Sequence, residues 1–190
     1  MPDSSNSPPD AVQVAEHLAA AIANTGCDYA FGGAIALGFW SEPRGTLDVD
    51  ITLFMPPKQP TACVRLLQSL GCELPAKHAV QSLTEHGFCQ AEFEGRRLDV
   101  FLPTTPFYQQ ARERRQKVEL GQQSIQIWDA ETLCVFKMMF FRRKDVADLE
   151  QLLRVQSNLD HNWVLQQLTQ IYGPHDPRIA QWQELVSERK

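Results

Sequence analysis

The sequence lacks several features that would place it in a special class of protein. No apolar run approaches the roughly 20 residues that cross a membrane, so we expect no membrane partner. The first ten residues, MPDSSNSPPD, have no basic start and no apolar stretch, so they do not resemble a signal peptide. The sequence also has no excess of basic over acidic residues. The formal net charge of −5 argues weakly against a large nucleic-acid surface.

Paired cysteines are missing as well. The five cysteines are scattered, odd in number and without C-x-x-C spacing, which predicts reduced thiols and a cytoplasmic location. They are Cys27, Cys63, Cys72, Cys89 and Cys134. With 190 residues and an ordinary composition, the chain is expected to form one soluble globular domain.

Two short motifs near the start suggest chemistry. Gly32-Gly33 follows a short apolar strand and opens a helix, and Asp48 and Asp50 stand about 15 residues later inside an apolar run. On a strand, residues i and i+2 share a face and lie about 6–7 Å apart. Two carboxylates held that close repel unless a cation lies between them. Magnesium, which takes oxygen ligands, is the cation that this pair predicts.

The alternation around this pair predicts which face of the strand is buried. One set of side chains is apolar throughout and should face the core, which would fix the register of the strand. The buried set is Leu47, Val49, Ile51 and Leu53, and the opposite set is Asp48, Asp50, Thr52 and Phe54.

The rest of the chain predicts an α+β fold with a mixed sheet flanked by helices and a helical C-terminal half. Residues 1–10 are predicted to be disordered, 11–128 to form the catalytic core, and 129–190 to form a helical region packed on it. A helix over 11–24, with Asp10 as its N-cap, begins the core. The predicted strands are 27–31, 47–54, 88–93 and 97–102, with a hairpin over 118–128. Further helices are expected at 34–40, 61–70, 130–141, 143–156, 160–172 and 176–188.

A third carboxylate, Asp99, lies on the strand 97–102. Three aspartates on neighbouring strands beside a glycine turn suit metal-assisted phosphoryl or nucleotidyl chemistry. The plainer interpretation is a half-exposed strand with acidic residues on its wet face and an ordinary tight turn. The order of the motifs favours the functional interpretation.

Lys137 lies in a segment that is apolar nearly all round, so we expect a buried helix there. A buried lysine needs an anionic partner, which a triphosphate or a nearby aspartate could supply. A lysine extending from the edge of the core is the alternative. Asp148, eleven residues later on the same helical face, either serves catalysis or pairs with Lys144 at i,i+4.

These motifs resemble the signature of the nucleotidyltransferase superfamily, the fold of the DNA polymerase beta-like enzymes. The resemblance covers roughly residues 28–153, and it looks most like the minimal bacterial branch with abortive-infection-type toxins and antibiotic nucleotidyltransferases. The matching stretches are Phe31-Gly32-Gly33, Arg44-x-Thr46-x-Asp48-Val49-Asp50, Leu98-Asp99-Val100-Phe101, Lys137 and Arg143-Lys144-Asp145-x-x-Asp148-Leu149.

The resemblance implies roles for the three aspartates. Asp48 and Asp50 would be metal ligands. Asp99 would be the third ligand and the general base that deprotonates the acceptor hydroxyl. Two Mg²⁺ ions would be the cofactors.

The resemblance also implies a nucleotide-binding set. Gly32 and Gly33 would present backbone amides to the triphosphate, and Arg44 or Thr46 would brace that loop. Lys137 would neutralise phosphate charge. Asp148 is placed with this set.

The function that these roles imply is transfer of a nucleoside monophosphate from a nucleoside triphosphate, ATP included, to an acceptor hydroxyl with release of pyrophosphate. The acceptor is open between tRNA, a protein and a small molecule, and a toxin-type enzyme would have an antitoxin partner. The alternatives are a non-catalytic nucleotide-binding or partner-docking module on the same fold, and a phosphohydrolase on a different α/β fold.

Overall fold

The computed structural model describes residues 9–188, which form a six-stranded sheet and a series of helices. The strands are β1 Tyr29–Phe31, β2 Asp48–Leu53, β3 Phe88–Phe93, β4 Arg96–Phe101, β5 Gln116–Leu120 and β6 Gln123–Ile127. The helices are α1 Ala11–Ala23, α2 Gly33–Trp40, α3 Pro60–Ser69, α4 Ala76–His86, α5 Phe107–Arg114, α6 Ala130–Phe140, α7 Arg143–Val155, α8 His161–Tyr172 and α9 Pro177–Ser187.

The sheet is mixed, with the strand order β3-β4-β2-β1-β6-β5. Strands β2 and β4 pair in parallel, as do β1 and β6, while the other neighbours are antiparallel. Four helices follow the last strand without interruption. The predicted α+β fold with a mixed sheet and a helical C-terminal half is therefore confirmed.

Strand β2 follows the predicted alternation except at its start. Val49, Ile51 and Leu53 are buried, whereas Asp48 and Asp50 on the other face are partly exposed. The prediction that Leu47 belongs to the buried set was wrong, because Leu47 precedes the first residue of β2 and is 77% exposed. The aspartate face of the strand is nonetheless the one expected.

Other boundaries agree with the sequence to within a few residues, but two helices were not predicted. Helix α1 begins as expected, since the Asp10 carboxylate accepts a hydrogen bond from the Gln13 amide at 2.9 Å. Helices α4 and α5 were missed. The predicted disorder at the N-terminus falls on residues 1–8, outside the described residues, and on residues 9 and 10, which the structure does describe.

The C-terminal helices pack on the sheet domain through α6. Helix α6 contacts α2 on one side and α7 and α8 on the others, and α9 packs against α7 and α8. The proposed division of the chain near residue 129 stays a prediction. Within residues 9–188, no helix is both long enough and apolar enough to cross a bilayer.

The five cysteines are free thiols. Four of them are buried and Cys27 is partly exposed. Burial also raises the pKa of the Cys27 thiol, which keeps it protonated. These thiols therefore act as small apolar side chains within the core.

Substitution of Trp182 tests how much the packing of the C-terminal helices contributes to the stability of the protein. Its indole is 1% exposed, and its Nε1 donates to the His161 carbonyl oxygen at 3.2 Å. We expect Trp182→Ala to lower the free energy of unfolding by about 3–5 kcal/mol, because it leaves a large cavity. Urea unfolding followed by circular dichroism measures this. The exposed neighbour Gln183→Ala is the control, and equal stability of the two variants would contradict the packing described.

Candidate active site

Strand pairing brings the three predicted aspartates onto one face of the sheet. In the parallel pair β2–β4, Asp50 lies directly beside Asp99 and Asp48 lies beside Arg97. Paired residues in neighbouring strands point to the same side, so all four side chains share that side. The three carboxylates therefore crowd together, with one arginine among them.

The glycine turn packs directly against Asp50. The Gly32 amide donates to the Asp50 carbonyl oxygen at 2.9 Å, and Gly33 has a φ of +50° at the first residue of α2. A Cβ on Gly33 would lie 1.7 Å from Asp50 Oδ2 and 2.6 Å from its Cγ, so any larger residue here would displace the Asp50 carboxylate. Because the first amides of a helix have no partners within it, the start of α2 offers donors next to the carboxylates.

Burial and crowding make one carboxylate unusually basic. Burial, together with the charges of Asp48 and Asp99, raises the pKa of Asp50 to about 6. Burial also raises the pKa of Asp99, although Arg97 and a hydrogen bond from Gln90 at 3.2 Å partly oppose it. Ionisation at this face is thus costly unless a cation is close.

Asp48 differs because it already has partners. Burial alone would raise its pKa, but a hydrogen bond from the Thr46 hydroxyl at 2.6 Å and the charge of Arg97 lower it below its ordinary value. Arg97 Nη2 contacts Asp48 Oδ2, and Arg97 Nε lies 3.2 Å from Asp99 Oδ1. Thr46 therefore orients a candidate ligand, which differs from bracing the glycine loop.

Behind the carboxylates, Asp148 joins two of the predicted cations. Arg44 Nε and Nη2 donate to its two oxygens at 2.8 and 2.9 Å, and Lys137 Nζ donates at 2.5 Å. Lys137 and Asp148 are both buried, as predicted for Lys137. Burial opposes ionisation of Asp148, yet these partners hold its pKa below the ordinary value. The suggested i,i+4 pairing of Asp148 with Lys144 is not formed among the described residues.

One cleft collects most of the predicted residues. It encloses about 640 Å³ of space, part of it open to solvent. Its lining includes Gly32, Gly33, Arg44, Thr46, Asp48, Asp50 and Lys137. Asp99 lies beside this cleft on β4, and Asp148 supports it from behind. Part of the cleft wall is aromatic and includes Tyr108, Trp128 and Phe136.

Three cationic residues of the site were not predicted as site residues. Lys144 and Arg142 line the cleft near the start of α7, and the charge of Lys144 lowers the pKa values of Asp48, Asp50 and Asp99. Arg97 stands two residues before Asp99, so strand alternation alone would have placed it on the aspartate face. Lys144 lies in the stretch that matches the family pattern, but only the packing of α7 places its charge near the aspartates, 45 or more residues away along the chain.

The donor chemistry of this face fits a hard divalent cation. It offers three carboxylates, and their mutual repulsion is the cost that a cation would relieve. Within residues 9–188, no three acidic, histidine or cysteine side chains converge as they stand on a point where they could hold an ion. Asp48 and Asp99 are instead turned toward Arg97.

Comparison with solved structures identifies the fold of this chain. No protein-family model matches this chain, and no curated protein matches it. Among solved structures, an antigenic nucleotidyltransferase-like protein from Paracoccidioides brasiliensis matches with a TM-score of 0.53 and 16% identity, over 96% of each chain. The chain therefore has the nucleotidyltransferase-like fold, and the resemblance seen in the sequence is confirmed at the level of the fold.

Two structures of the antibiotic-resistance factor ANT(2'')-Ia also match. Its solution structure has a TM-score of 0.48 and 13% identity, over 92% of this chain and 81% of that chain. Its crystal structure in complex with adenylyl-2''-tobramycin has a TM-score of 0.49 and 13% identity, over 93% and 94% of the two chains. At these scores neither likeness bears on the activity of this chain.

The raised pKa of Asp50 predicts a pH-dependent stability. The folded pKa is about 6 and the ordinary value is 3.8, so the folded protein loses stability as the pH rises between them. We therefore expect Asp50→Asn to raise the free energy of unfolding in EDTA at pH 8 by up to about 3 kcal/mol. The gain should shrink toward pH 4. Urea unfolding at several pH values measures it, and a gain independent of pH would contradict the crowding.

The Asp148 cluster predicts a large structural effect. Asp148→Asn leaves Lys137 buried without a carboxylate, which should lower the free energy of unfolding by about 3–5 kcal/mol. Glu150→Gln, an exposed change on the same helix, should stay within about 0.5 kcal/mol of the native protein. The double variant Lys137→Met/Asp148→Leu should recover much of the loss. Thermal and urea unfolding measure all three, and a stable Asp148→Asn would show that the pair is dispensable.

Proposed function

We propose that this chain is a metal-dependent nucleotidyltransferase that moves a nucleoside monophosphate from a nucleoside triphosphate to an acceptor hydroxyl. The observation that carries this proposal is the placement of Asp48, Asp50 and Asp99 on one sheet face against the Gly32-Gly33 turn. Carboxylates that collect cations beside free helix amides suit a substrate with a chain of phosphates. The nucleotidyltransferase-like fold supports the same reaction class.

In this proposal the three carboxylates hold Mg²⁺, and two ions are expected. Asp50 and Asp99 are neighbours in register, and Asp48 is two residues from Asp50 on the same face. When bound, the ions neutralise phosphate charge and lower the pKa of the attacking hydroxyl. Burial and the charges of Asp48 and Asp99 raise the pKa of Asp50, and its ionised form is the one that would hold an ion.

The triphosphate lies along the start of α2. The Gly32 amide is already bonded to the Asp50 carbonyl oxygen, so the Gly33 amide is the one that faces the phosphates, and the missing side chain of Gly33 lets them approach Asp50. The Arg44–Lys137–Asp148 cluster has two cations and one anion, so it keeps a net positive charge toward the cleft. It positions the loop before β2 and attracts phosphate at the same time.

Asp99 is the proposed general base. Its pKa is raised by burial, which makes its carboxylate a better proton acceptor than an ordinary aspartate. It takes the proton from the acceptor hydroxyl, whose oxygen then bonds to the α-phosphorus. The bond between the α-phosphorus and the bridging oxygen breaks, and pyrophosphate leaves with that oxygen. Lys144 and Arg142 at the cleft stabilise the charge that develops on the phosphates.

A nucleotide-binding module without catalysis is the alternative. The contacts of Arg97 with Asp48 and Asp99 support this alternative, because they relieve part of the repulsion without any metal. Such a module would bind a nucleoside triphosphate and release it unchanged. A phosphohydrolase would instead release phosphate without transfer.

Label transfer tests the reaction. Each α-³²P nucleoside triphosphate is incubated with Mg²⁺ and a bacterial extract that is then separated into RNA, protein and small-molecule fractions. We expect label in one fraction, which names the acceptor class among tRNA, protein and small molecule. RNA or protein labelling would favour the toxin-type form with an antitoxin partner. Intact nucleotide in every fraction would favour the binding module.

Substitution of the carboxylates ties any transfer to this site. Asp48→Asn, Asp50→Asn and Asp99→Asn should each reduce transfer on the order of 1,000-fold or more, since each removes a ligand or the base. Glu119→Gln is the matched control, because Glu119 is an exposed carboxylate on β5 with no proposed role. Equal activity of the aspartate variants and this control would reject the proposed site.

A further inference from the structure

Arg97 lies in the middle of a row of charged residues that crosses three strands. On one side its strand partner is Asp48, and on the other side its strand partner is Glu92. The row continues from Glu92 to Glu73 through an isolated antiparallel bridge. Paired residues share a face, so one guanidinium has carboxylates on both sides.

The guanidinium contacts only one of these two sides. Arg97 Nη2 contacts Asp48 Oδ2 and Nε lies 3.2 Å from Asp99 Oδ1. Glu92 is exposed and forms no ion pair with any residue in the range 9–188. Arg97 thus bridges two of the three carboxylates proposed to hold the metal, while a second anionic partner beside it is free.

The Arg97 side chain has room to move. Its exposed fraction is 51%, whereas Asp48 and Asp99 are 18% and 17% exposed. The arginine therefore covers the two carboxylates from the solvent side. A long, exposed side chain changes its rotamer at little energetic cost. The two carboxylates that it contacts are on shorter and less exposed side chains, so they have less freedom to move.

We propose that Arg97 is a resident counter-cation that substitutes for the divalent metal and yields its place when the metal binds. A guanidinium and a metal ion cannot both occupy the same carboxylate oxygens, so binding of the ion requires Arg97 to leave Asp48 and Asp99. Glu92 and Glu73 provide the negative region that receives it. The inference rests on the proposed function, and it adds that Arg97 sets the metal affinity of the site.

This exchange predicts opposite effects for two neighbouring variants. Arg97→Gln removes the competing cation, so Mn²⁺ should bind about threefold to tenfold more tightly. Glu92→Gln removes the receiving partner, so Mn²⁺ should bind about twofold more weakly. Arg97→Lys keeps the charge without the bridging geometry and should lie between native protein and Arg97→Gln. Higher salt should reduce all of these differences.

The measurement is titration of Mn²⁺ into the metal-free full-length protein without nucleotide, with free Mn²⁺ detected by electron paramagnetic resonance. The matched controls are Arg65→Gln and Glu119→Gln, which remove exposed charges that are not part of the row. Asp48→Asn establishes that the ion counted is bound at this face, since it should abolish the binding. A thermal melt in EDTA shows that each variant is folded, and we expect Arg97→Gln to melt lower than the native protein there.

The outcomes separate this inference from the proposed function. If the native protein binds Mn²⁺ and Arg97→Gln binds it equally or more weakly, the counter-cation role is overturned while the metal site stands. If neither the native protein nor Arg97→Gln binds Mn²⁺, both are overturned. Tighter binding by Arg97→Gln with weaker binding by Glu92→Gln supports the exchange, whether or not nucleotidyl transfer is found.

Discussion

The repulsion among three carboxylates on one sheet face is the constraint around which the site is built. Asp50 and Asp99 are held side by side by the backbone pairing of β2 and β4, so they cannot separate without breaking the sheet. Gly33 lacks a side chain where Asp50 needs room, and Arg97 and Lys144 supply positive charge. Nearby cations therefore favour ionisation of these aspartates, with hydrogen bonds from Thr46 to Asp48 and from Gln90 to Asp99 acting in the same direction.

A second interaction ties the C-terminal helices to this face. Asp148 on α7 holds Lys137 on α6 and Arg44 in the loop before β2, so three distant segments meet at one buried carboxylate. The cluster depends most on Asp148, because its loss leaves the buried Lys137 without a carboxylate, whereas loss of either cation leaves Asp148 with the other. The cleft consequently draws its walls from residues on both sides of residue 129.

Local patterns predicted the sheet face well and some helices poorly. Alternation placed Val49, Ile51 and Leu53 in the core, but it also placed Leu47 there, because hydrophobicity does not mark the first residue of a strand. Helices α4 and α5 escaped prediction for a related reason. Each begins after a proline and has no side-chain cap, so neither carries the usual start signal.

The two-residue spacing of Asp48 and Asp50 on a strand was enough to predict that they share a face. The apolar neighbours of Lys137 favoured its burial but left a position at the edge of the core open, and in the structure Lys137 is buried. Which charged side chains meet could not be predicted from these local patterns. Asp148 pairs with Lys137 and Arg44, and Arg97 lies against Asp48 from 49 residues away, because strand register and helix packing, unlike periodicity, depend on the whole chain.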